Sequence, residues 1–311
     1  MKEIISSLDI GSSTIKLVVG EVYNNEVNVL SVSEVKSKGV KKGIIVNPEE
    51  TLVSLKEAFN RTEEMLNIKI NKVVLLVPSY YAEFIITEGS TNVRNEEGII
   101  DGNDIVSVLQ SCVYNKVPNN KEFISIMPIE FVIDDKEKVK DPKGMKAEKL
   151  SCKAVISLAP KKNVYTAVSL LENLGVGVVD INFGGIADYY EFKTSELDKK
   201  NTAVVNIGDE KTEVSIFKKG IMIETENIEI GGKNIDRDIC YIYDISRKSA
   251  KVLKEKFALA SKRNASTSWS EDVENNTKEN IKISQYELSE IINSRIKEIL
   301  ELVKKQINLL T

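Results

Sequence analysis

One short motif constrains this chain more than anything else in it, because it occurs twice, at residues 8–22 and again at 205–217. The first copy reads Leu-Asp-Ile-Gly-Ser-Ser-Thr-Ile-Lys-Leu-Val-Val-Gly-Glu-Val, the second Val-Asn-Ile-Gly-Asp-Glu-Lys-Thr-Glu-Val-Ser-Ile-Phe. Asp9 aligns with Asn206, Ile10 with Ile207 and Gly11 with Gly208. Each copy is an apolar strand, a tight polar turn and a second strand. Each turns again, at Val22-Tyr23-Asn24-Asn25 and at Lys218-Lys219-Gly220, where Asn and Gly supply the positive φ of hairpins. Third strands are predicted over 27–32 and 221–224. Two β-hairpins can look alike without kinship, but the shared order of polar residue, apolar residue and glycine favours two related halves. A turn of this kind gathers backbone N–H groups and hydroxyls in a small concavity, which is an anion cradle.

Between and after the copies, helix and strand signals alternate, as in an α/β chain. Residues 48–66 carry helical spacing at Leu52, Leu55, Ala58, Phe59 and Met65, with Asn47 as N-cap and Pro48 at the first helical position. Residues 73–77 read as a buried strand closed by Pro78. A separate block from about 82 to 160 holds a strand at 84–87, a helix near 101–114, strands at 122–127 and 130–133, a charged loop at 134–146 and a strand at 149–158. A helix over 161–174 capped by Gly175 and a strand over 176–181 follow. Past the second copy, Gly231 and Gly232 open a helix through Tyr243, and 249–259 is a short lysine-rich helix. Residues 261–280, almost wholly polar around Trp269, read as a mobile loop. Ser284 caps a last helix whose Leu288, Ile291, Ile292, Ile296, Ile299, Val303 and Ile307 fall on one face.

Composition removes several function classes. With no histidine, His-dependent triads, His-ligated metals and His general bases are excluded. Cys112, Cys152 and Cys240 lie far apart without CxxC spacing, so they read as small core residues in a reducing cytoplasm. A net charge of -4 offers no basic excess for phosphates, so nucleic acid is not expected as a partner. No run of about 18 apolar residues occurs, so no segment is expected to span a membrane.

The run from Asp9 to Glu21 resembles the first phosphate loop of the actin, Hsp70 and sugar-kinase superfamily. The chain as a whole resembles FtsA, the bacterial cell-division family within it, from residue 3 to about residue 305. The narrower likeness is carried by residues 39–46, by 128–134 (Pro-Ile-Glu-Phe-Val-Ile-Asp) and by 140–145 (Lys-Asp-Pro-Lys-Gly-Met). The last two match a strand and a loop of an inserted subdomain special to that family. The resemblance implies an actin-like (ribonuclease-H-like) two-lobe ATPase fold. The first lobe is expected at 1–81 and 161–194, the insertion at 82–160, the second-lobe core at 195–240 and a helical subdomain at 241–311. It also implies ATP and Mg bound between the lobes, self-polymerisation through the insertion, and tethering of FtsZ filaments to the cytoplasmic face of the membrane at the division site.

Carried over by position, Asp9 stands near the cation through water. Gly11, Ser12, Ser13 and Thr14 offer donors to the β-phosphate region, and Lys16 matches a family lysine. Asn206, Gly208 and Thr212 belong to the second phosphate loop, Gly231 and Gly232 begin a nucleotide-side helix, and Lys254 matches a lysine along the adenosine. Arg295 lies where the family receives the FtsZ C-terminal peptide. The same resemblance implies a Gly-Gly adenosine turn, a closing strand and helix, and an amphipathic membrane anchor after Thr311, so the second lobe is expected to be incomplete within this stretch.

The departures are specific. Where the family usually has Asp-Ile-Gly-Gly-Gly-Thr-Thr-Asp, residues 206–213 read Asn-Ile-Gly-Asp-Glu-Lys-Thr-Glu. An amide replaces the metal-side carboxylate, and Asp209 and Glu210 enter a loop that the resemblance assigns to the γ-phosphate. Like charges at ~4 Å cost on the order of 4 kcal/mol at intermediate dielectric. Gly184-Gly185 stands in place of a Glu-Pro pair, and Lys251 in place of an adenosine-side glutamate. Phosphoryl transfer depends on positioned charge and metal, so weak or no ATP hydrolysis is expected. A nucleotide-free pseudo-actin scaffold and a pilus-assembly actin homologue stay open. A sugar or acetate kinase would need an acceptor-side carboxylate, for which 82–160 gives no obvious candidate. On the simplest alternative, Asp209 and Glu210 are solvated turn residues, and Lys251, Lys254 and Lys256 a solvated helix face.

Overall fold

The computed structural model describes residues 3–24, 26–95 and 97–310; Asn25, part of the turn expected after the first copy, lies outside them. Backbone contacts divide the chain into two units, Met1–Val204 with Ser215–Glu226, and Val205–Val214 with Asn227–Thr311.

In the first unit, β1 (Glu3–Ile10) buries Ser6, Leu8 and Ile10 and leaves Ser7 and Asp9 half-buried, the two-residue alternation of a sheet lying on a core. Antiparallel β2 (Thr14–Tyr23) sets Lys16 opposite Asp9. β3 (Glu26–Lys36) is longer than the expected 27–32, because its ladder with β2 continues to the Thr14–Lys36 pair. A two-strand ribbon, β4 (Val40–Lys41) and β5 (Ile44–Ile45), precedes helix α1 (Pro48–Leu66). Asn47 caps α1, accepting from the Glu50 N–H at 3.3 Å. β6 (Lys72–Val77) runs parallel to β1, a pairing that needs a crossover element such as α1.

The inserted block contains β7 (Glu83–Asn92), α2 (Gly102–Val113), β8 (Lys121–Ile133), β9 (Glu137–Val139) and β10 (Lys149–Pro160). Its sheet has the order β7-β10-β8-β9. β8 is one strand, not the two expected around Pro128. It tolerates the proline because β9 pairs only with Phe131 to Ile133, and the β10 ladder shifts register between Lys153 and Ala154. Helix α2 lies directly on β7 at Gly89, where a Cβ would come 2.5 Å from the Cys112 nitrogen. Cys112 and Cys152 are buried in this block's core.

The chain returns through α3 (Lys161–Glu172) to β11 (Gly177–Phe183), parallel to β6, and then α4 (Gly184–Phe192). The finished sheet reads β11-β6-β1-β2-β3, and its core includes Leu8, Ile15, Leu17, Leu55 and Leu75. The three-stranded sheet of β12 (Asn201–Ile207), β13 (Thr212–Lys218) and β14 (Ile221–Ile228) contributes segments to both units.

The second unit adds α5 (Gly232–Tyr243), α6 (Arg247–Lys256), the hairpin β15 (Ser270–Glu274) and β16 (Asn280–Ser284), and α7 (Gln285–Leu310). Its core gathers Ile235, Ile239, Leu253, Ile283, Leu288 and Ile292. Residues 261–280 are therefore not a structureless loop: Val273 pairs with Ile281, and both pack on that core together with Ile283. Two or three apolar residues at alternate positions sufficed to anchor a hairpin in an otherwise polar stretch. Among the described residues, no helix is long and apolar enough to cross a membrane.

Candidate functional site

The first turn is closed by one backbone hydrogen bond, from the Gly11 N–H to the Thr14 carbonyl at 3.1 Å. A Cβ at Gly11 would lie 2.8 Å from that same oxygen, so the position requires glycine by close approach. Neighbouring backbone braces the turn. Ser12 Oγ accepts from the Gly43 N–H at 2.7 Å, and the Ser13 carbonyl accepts from the Ser37 N–H at 2.9 Å. The Ser13 and Thr14 hydroxyls are half-buried and make no hydrogen bond among the described residues, so both remain available as donors. Asp9 is half-buried at the end of β1, and Lys16 projects, exposed, from β2 opposite it. Among the described residues, no group of three or more acids or cysteines could hold a metal ion, so a cation at Asp9 would depend on water and on its ligand for the remaining bonds.

The second turn closes in the same way: the Gly208 N–H donates to the Lys211 carbonyl at 2.9 Å, and a Cβ at Gly208 would lie 3.0 Å from it. Its surroundings differ. Thr212 is buried and its hydroxyl donates to the Ile230 carbonyl at 2.8 Å. The first N–H groups of α5 are engaged by the turn itself, Gly232 donating to the Gly208 carbonyl at 2.9 Å and Lys233 to that of Asp209 at 2.8 Å. The Gly231 N–H donates to Asn234 Oδ1 at 3.2 Å. Lys211 Nζ meets Glu213 at 2.7 Å and Asn227 at 2.6 Å, and Lys233 pairs with Glu210. Asn206 is exposed near the end of β12.

Glu210 and Lys254 are not the solvated residues expected on the simplest alternative. The Glu210 side chain is 15% exposed and ion-paired, not solvated. Lys254 is 18% exposed, with Nζ 2.6 Å from Asp236 Oδ1 and 3.2 Å from the Gly232 carbonyl, because α6 packs against α5. Taken separately, the first turn fits an anion, having free hydroxyls beside its N–H groups. In the second, the Thr212 hydroxyl, the Lys211 and Lys233 ammonium groups and the first N–H groups of α5 are turned to partners in their own unit.

Arg295 lies on α7 in a groove of about 360 Å³ lined by Asp238, Tyr241 and Ile242 from α5 and by Ile291 and Glu298 from α7. Its Nε and Nη2 hold Asp238 as a fork at 2.6 and 2.8 Å, and Nη1 meets Glu298. The Asp238 bond strengthens the guanidinium's hold on its proton. Tyr241, 89% exposed, stands as a bare aromatic ring at the rim. Tyr241 and Asp238, which the sequence did not single out, line the groove beside Arg295; their three-residue offset along one helix was the available signal. Gly184 opens α4, and a Cβ there would meet nothing within 4 Å, so space does not explain the absence of an acid at this position.

Two family profiles match the chain: "SHS2 domain inserted in FTSA" over residues 81–157 and "Cell division protein FtsA" over residues 203–310. Cell division protein FtsA of Bacillus subtilis is 28% identical over 306 residues, covering 98% of this chain and 70% of that protein. The same protein of Streptococcus pneumoniae is 29% identical over 308 residues, covering 97% and 66%. The chain thus spans about two thirds of the length of these relatives. Among solved structures, a PilM-PilN type IV pilus biogenesis complex superposes with a TM-score of 0.60 at 13% identity, covering 98% of this chain and 76% of that one. MreB5 of Spiroplasma citri bound to AMPPNP gives 0.55 at 14% identity, covering 98% and 79%. These likenesses show the fold, which is actin-like with an inserted subdomain.

Proposed function

This chain belongs to the FtsA family of bacterial cell-division proteins, and on that premise we propose that it is an ATP-binding adaptor that polymerises and tethers FtsZ filaments to the cytoplasmic face of the membrane at the division site, with weak or no ATP hydrolysis. The observation that carries the partner half is the α5–α7 groove, whose apolar wall of Tyr241, Ile242 and Ile291 faces solvent beside an arginine already fixed by Asp238. Exposed aromatic anchors dominate the energy of peptide docking, while a neutralised arginine shapes the site more than it attracts charge. The FtsZ C-terminal peptide is the occupant in this reading.

The nucleotide half is supported by the braced first turn with its free Ser13 and Thr14 hydroxyls. Low turnover is supported by Gly184 and Gly185, which bring no carboxylate to the start of α4. One observation favours a second reading, a nucleotide-free scaffold: the Thr212 hydroxyl and the first N–H groups of α5 beside the second turn are engaged within their own unit.

The test is fluorescence anisotropy with a labelled FtsZ C-terminal peptide. Saturable binding is expected, weakened about tenfold or more by Tyr241→Ala and less by Arg295→Ala. No saturable binding by the intact protein sinks the adaptor reading; binding that survives without any nucleotide affinity selects the scaffold.

A further inference from the structure

The inserted block carries two thiols that the function proposed above does not use. Cys112 is the penultimate residue of α2, and Cys152 lies within β10, 40 residues further along the chain. We propose that these two cysteines form a reversible dithiol–disulfide latch, which ties the end of α2 to β10 when the chain meets a low-molecular-weight disulfide. The latch lies wholly inside the inserted block and is independent of both the groove and the first turn.

The ladder, a glycine and a hydrogen bond bring the two sulfurs together. Cys152 stands directly opposite Gly89 in the antiparallel β7–β10 pair. Side chains so paired share a face, with Cβ atoms about 4.5–5.5 Å apart. Gly89 has no side chain to put there, and Cys112 fills the place: its Sγ lies 2.9 Å from where a Gly89 Cβ would be. The Cys112 thiol also donates to the Cys152 carbonyl at 3.4 Å. The helix end thus lays its sulfur beside the strand's, an arrangement that a short shift closes into an S–S bond.

The two thiols are not equivalent. The hydrogen bond between their side chains pulls the Cys112 thiol below its usual range and pushes that of Cys152 up, with burial adding to the latter. Access differs as well. Both residues are closed to water, at 0% and 2% exposure, but β10 is covered on its two edges by β7 and β8. Cys112 lies two residues before the exposed Tyr114, where a helix end frays without unfolding the rest. That fraying has to break the bond from the Ser90 N–H to Ser111 Oγ at 3.2 Å. Cys112 therefore reacts first and Cys152 resolves. The Cys112 thiolate attacks one sulfur of the small disulfide, whose S–S bond breaks; the other half leaves as a thiol, with the Cys112 proton. The Cys152 sulfur then attacks the Cys112 sulfur of the mixed disulfide. The second half leaves as a thiol with the Cys152 proton, and the protein S–S bond forms. The chain loses two electrons and two protons, and the small disulfide takes up both.

The experiment incubates the intact chain with oxidised glutathione under native conditions, blocks free thiols with iodoacetamide in denaturant, and maps the peptides by mass spectrometry. The expected product is a linked Cys112–Cys152 peptide in a protein about 2 Da lighter over this pair, reversed by dithiothreitol. Cys240, half-buried in the second unit, is the internal control and should take a glutathione adduct without joining either partner. Cys152→Ala is expected to leave Cys112 carrying the adduct, and Cys112→Ala to leave Cys152 unmodified over the same time. In the linked protein, amide exchange at Val113 and Tyr114 should slow about tenfold or more, because the last turn of α2 can no longer fray. Oxidation of the pair only at the rate of global unfolding, adducts without a linked peptide, or linkage that leaves those amides exchanging as before overturns the proposal. So does a Cys152 that takes the adduct as fast in Cys112→Ala as Cys112 does in Cys152→Ala. Circular dichroism checks the folding of both variants, and the linked peptide and its exchange are read on the unsubstituted chain, so the outcome does not hang on either variant.

Discussion

Replacing Gly231 by alanine tests how tightly the second turn is locked. The backbone there is extended, with φ -154 and ψ -164, so alanine can adopt it and no backbone strain is predicted. The damage comes from contact alone: the new methyl would lie 2.5 Å from the Gly208 oxygen, 2.6 Å from the Asp209 oxygen and 2.7 Å from the Asp209 carbonyl carbon. These are backbone atoms, which cannot swing aside, so α5 must lift by several tenths of an ångström or more. That movement disturbs two hydrogen bonds, Gly232 to Gly208 at 2.9 Å and Lys233 to Asp209 at 2.8 Å. Overpacking costs about 1–3 kcal/mol and each lost bond about 1 kcal/mol, against ~0.4–1 kcal/mol returned by the lower unfolded-state entropy of alanine. The net expectation is a loss of about 2–4 kcal/mol, with faster exchange at the Gly232 and Lys233 amides. Urea unfolding and amide hydrogen exchange measure both. A loss below about 1 kcal/mol with those two amides still protected would refute the reasoning. Gly184→Ala is the control: with open space around its Cβ and a helical position, it should stabilise by ~0.5–1 kcal/mol.

Three further outcomes are expected. Lys254→Met leaves the 9%-exposed Asp236 carboxylate unpaired and should destabilise by ~3 kcal/mol in urea titration, most of it recovered when Asp236 is also made apolar. The Asp101 carboxyl is held below the usual carboxylate range, first by the Asp104 N–H and also by that of Asn103, so its stabilisation is present above the unfolded value and lost as pH falls through the folded one. Asp101→Asn should therefore flatten the acid limb of the stability–pH curve, and an unchanged limb counts against the cap. Burial, then the Asp198 hydrogen bond, pushes the Tyr189 hydroxyl up to about 12, so its contribution is complete below the unfolded value and declines as pH rises through 12. Spectrophotometric titration of Tyr189→Phe should lack one late-ionising phenol.

Local physics was legible where a residue acts through its own conformation or through near neighbours. Asn47 and Pro48 announced α1, and Gly11 and Gly208 announced turns that close by the same hydrogen bond. Asp101 begins α2 with the capping box that its spacing from Asp104 permits. Pro128 misled, because a proline breaks a strand only where a neighbour needs its N–H. The polar run 261–280 misled because a few alternating apolar residues anchored it on a core assembled from α5, α6 and α7.

The amino-acid order by itself determined the two glycine turns, the alternation of strands and helices around them, the absence of histidine chemistry and the family likeness, since all of these are properties of neighbours along the chain. Which polar groups remain open to a ligand was decided only in three dimensions. Thr212 bonds to Ile230, Lys233 meets Glu210, Lys254 meets Asp236 and Arg295 grips Asp238, each partner brought in from 18 to 57 residues away. A hydroxyl or an ammonium group looks the same in sequence whether it faces water or a carboxylate, and only packing, by choosing that neighbour, sets its charge and its availability.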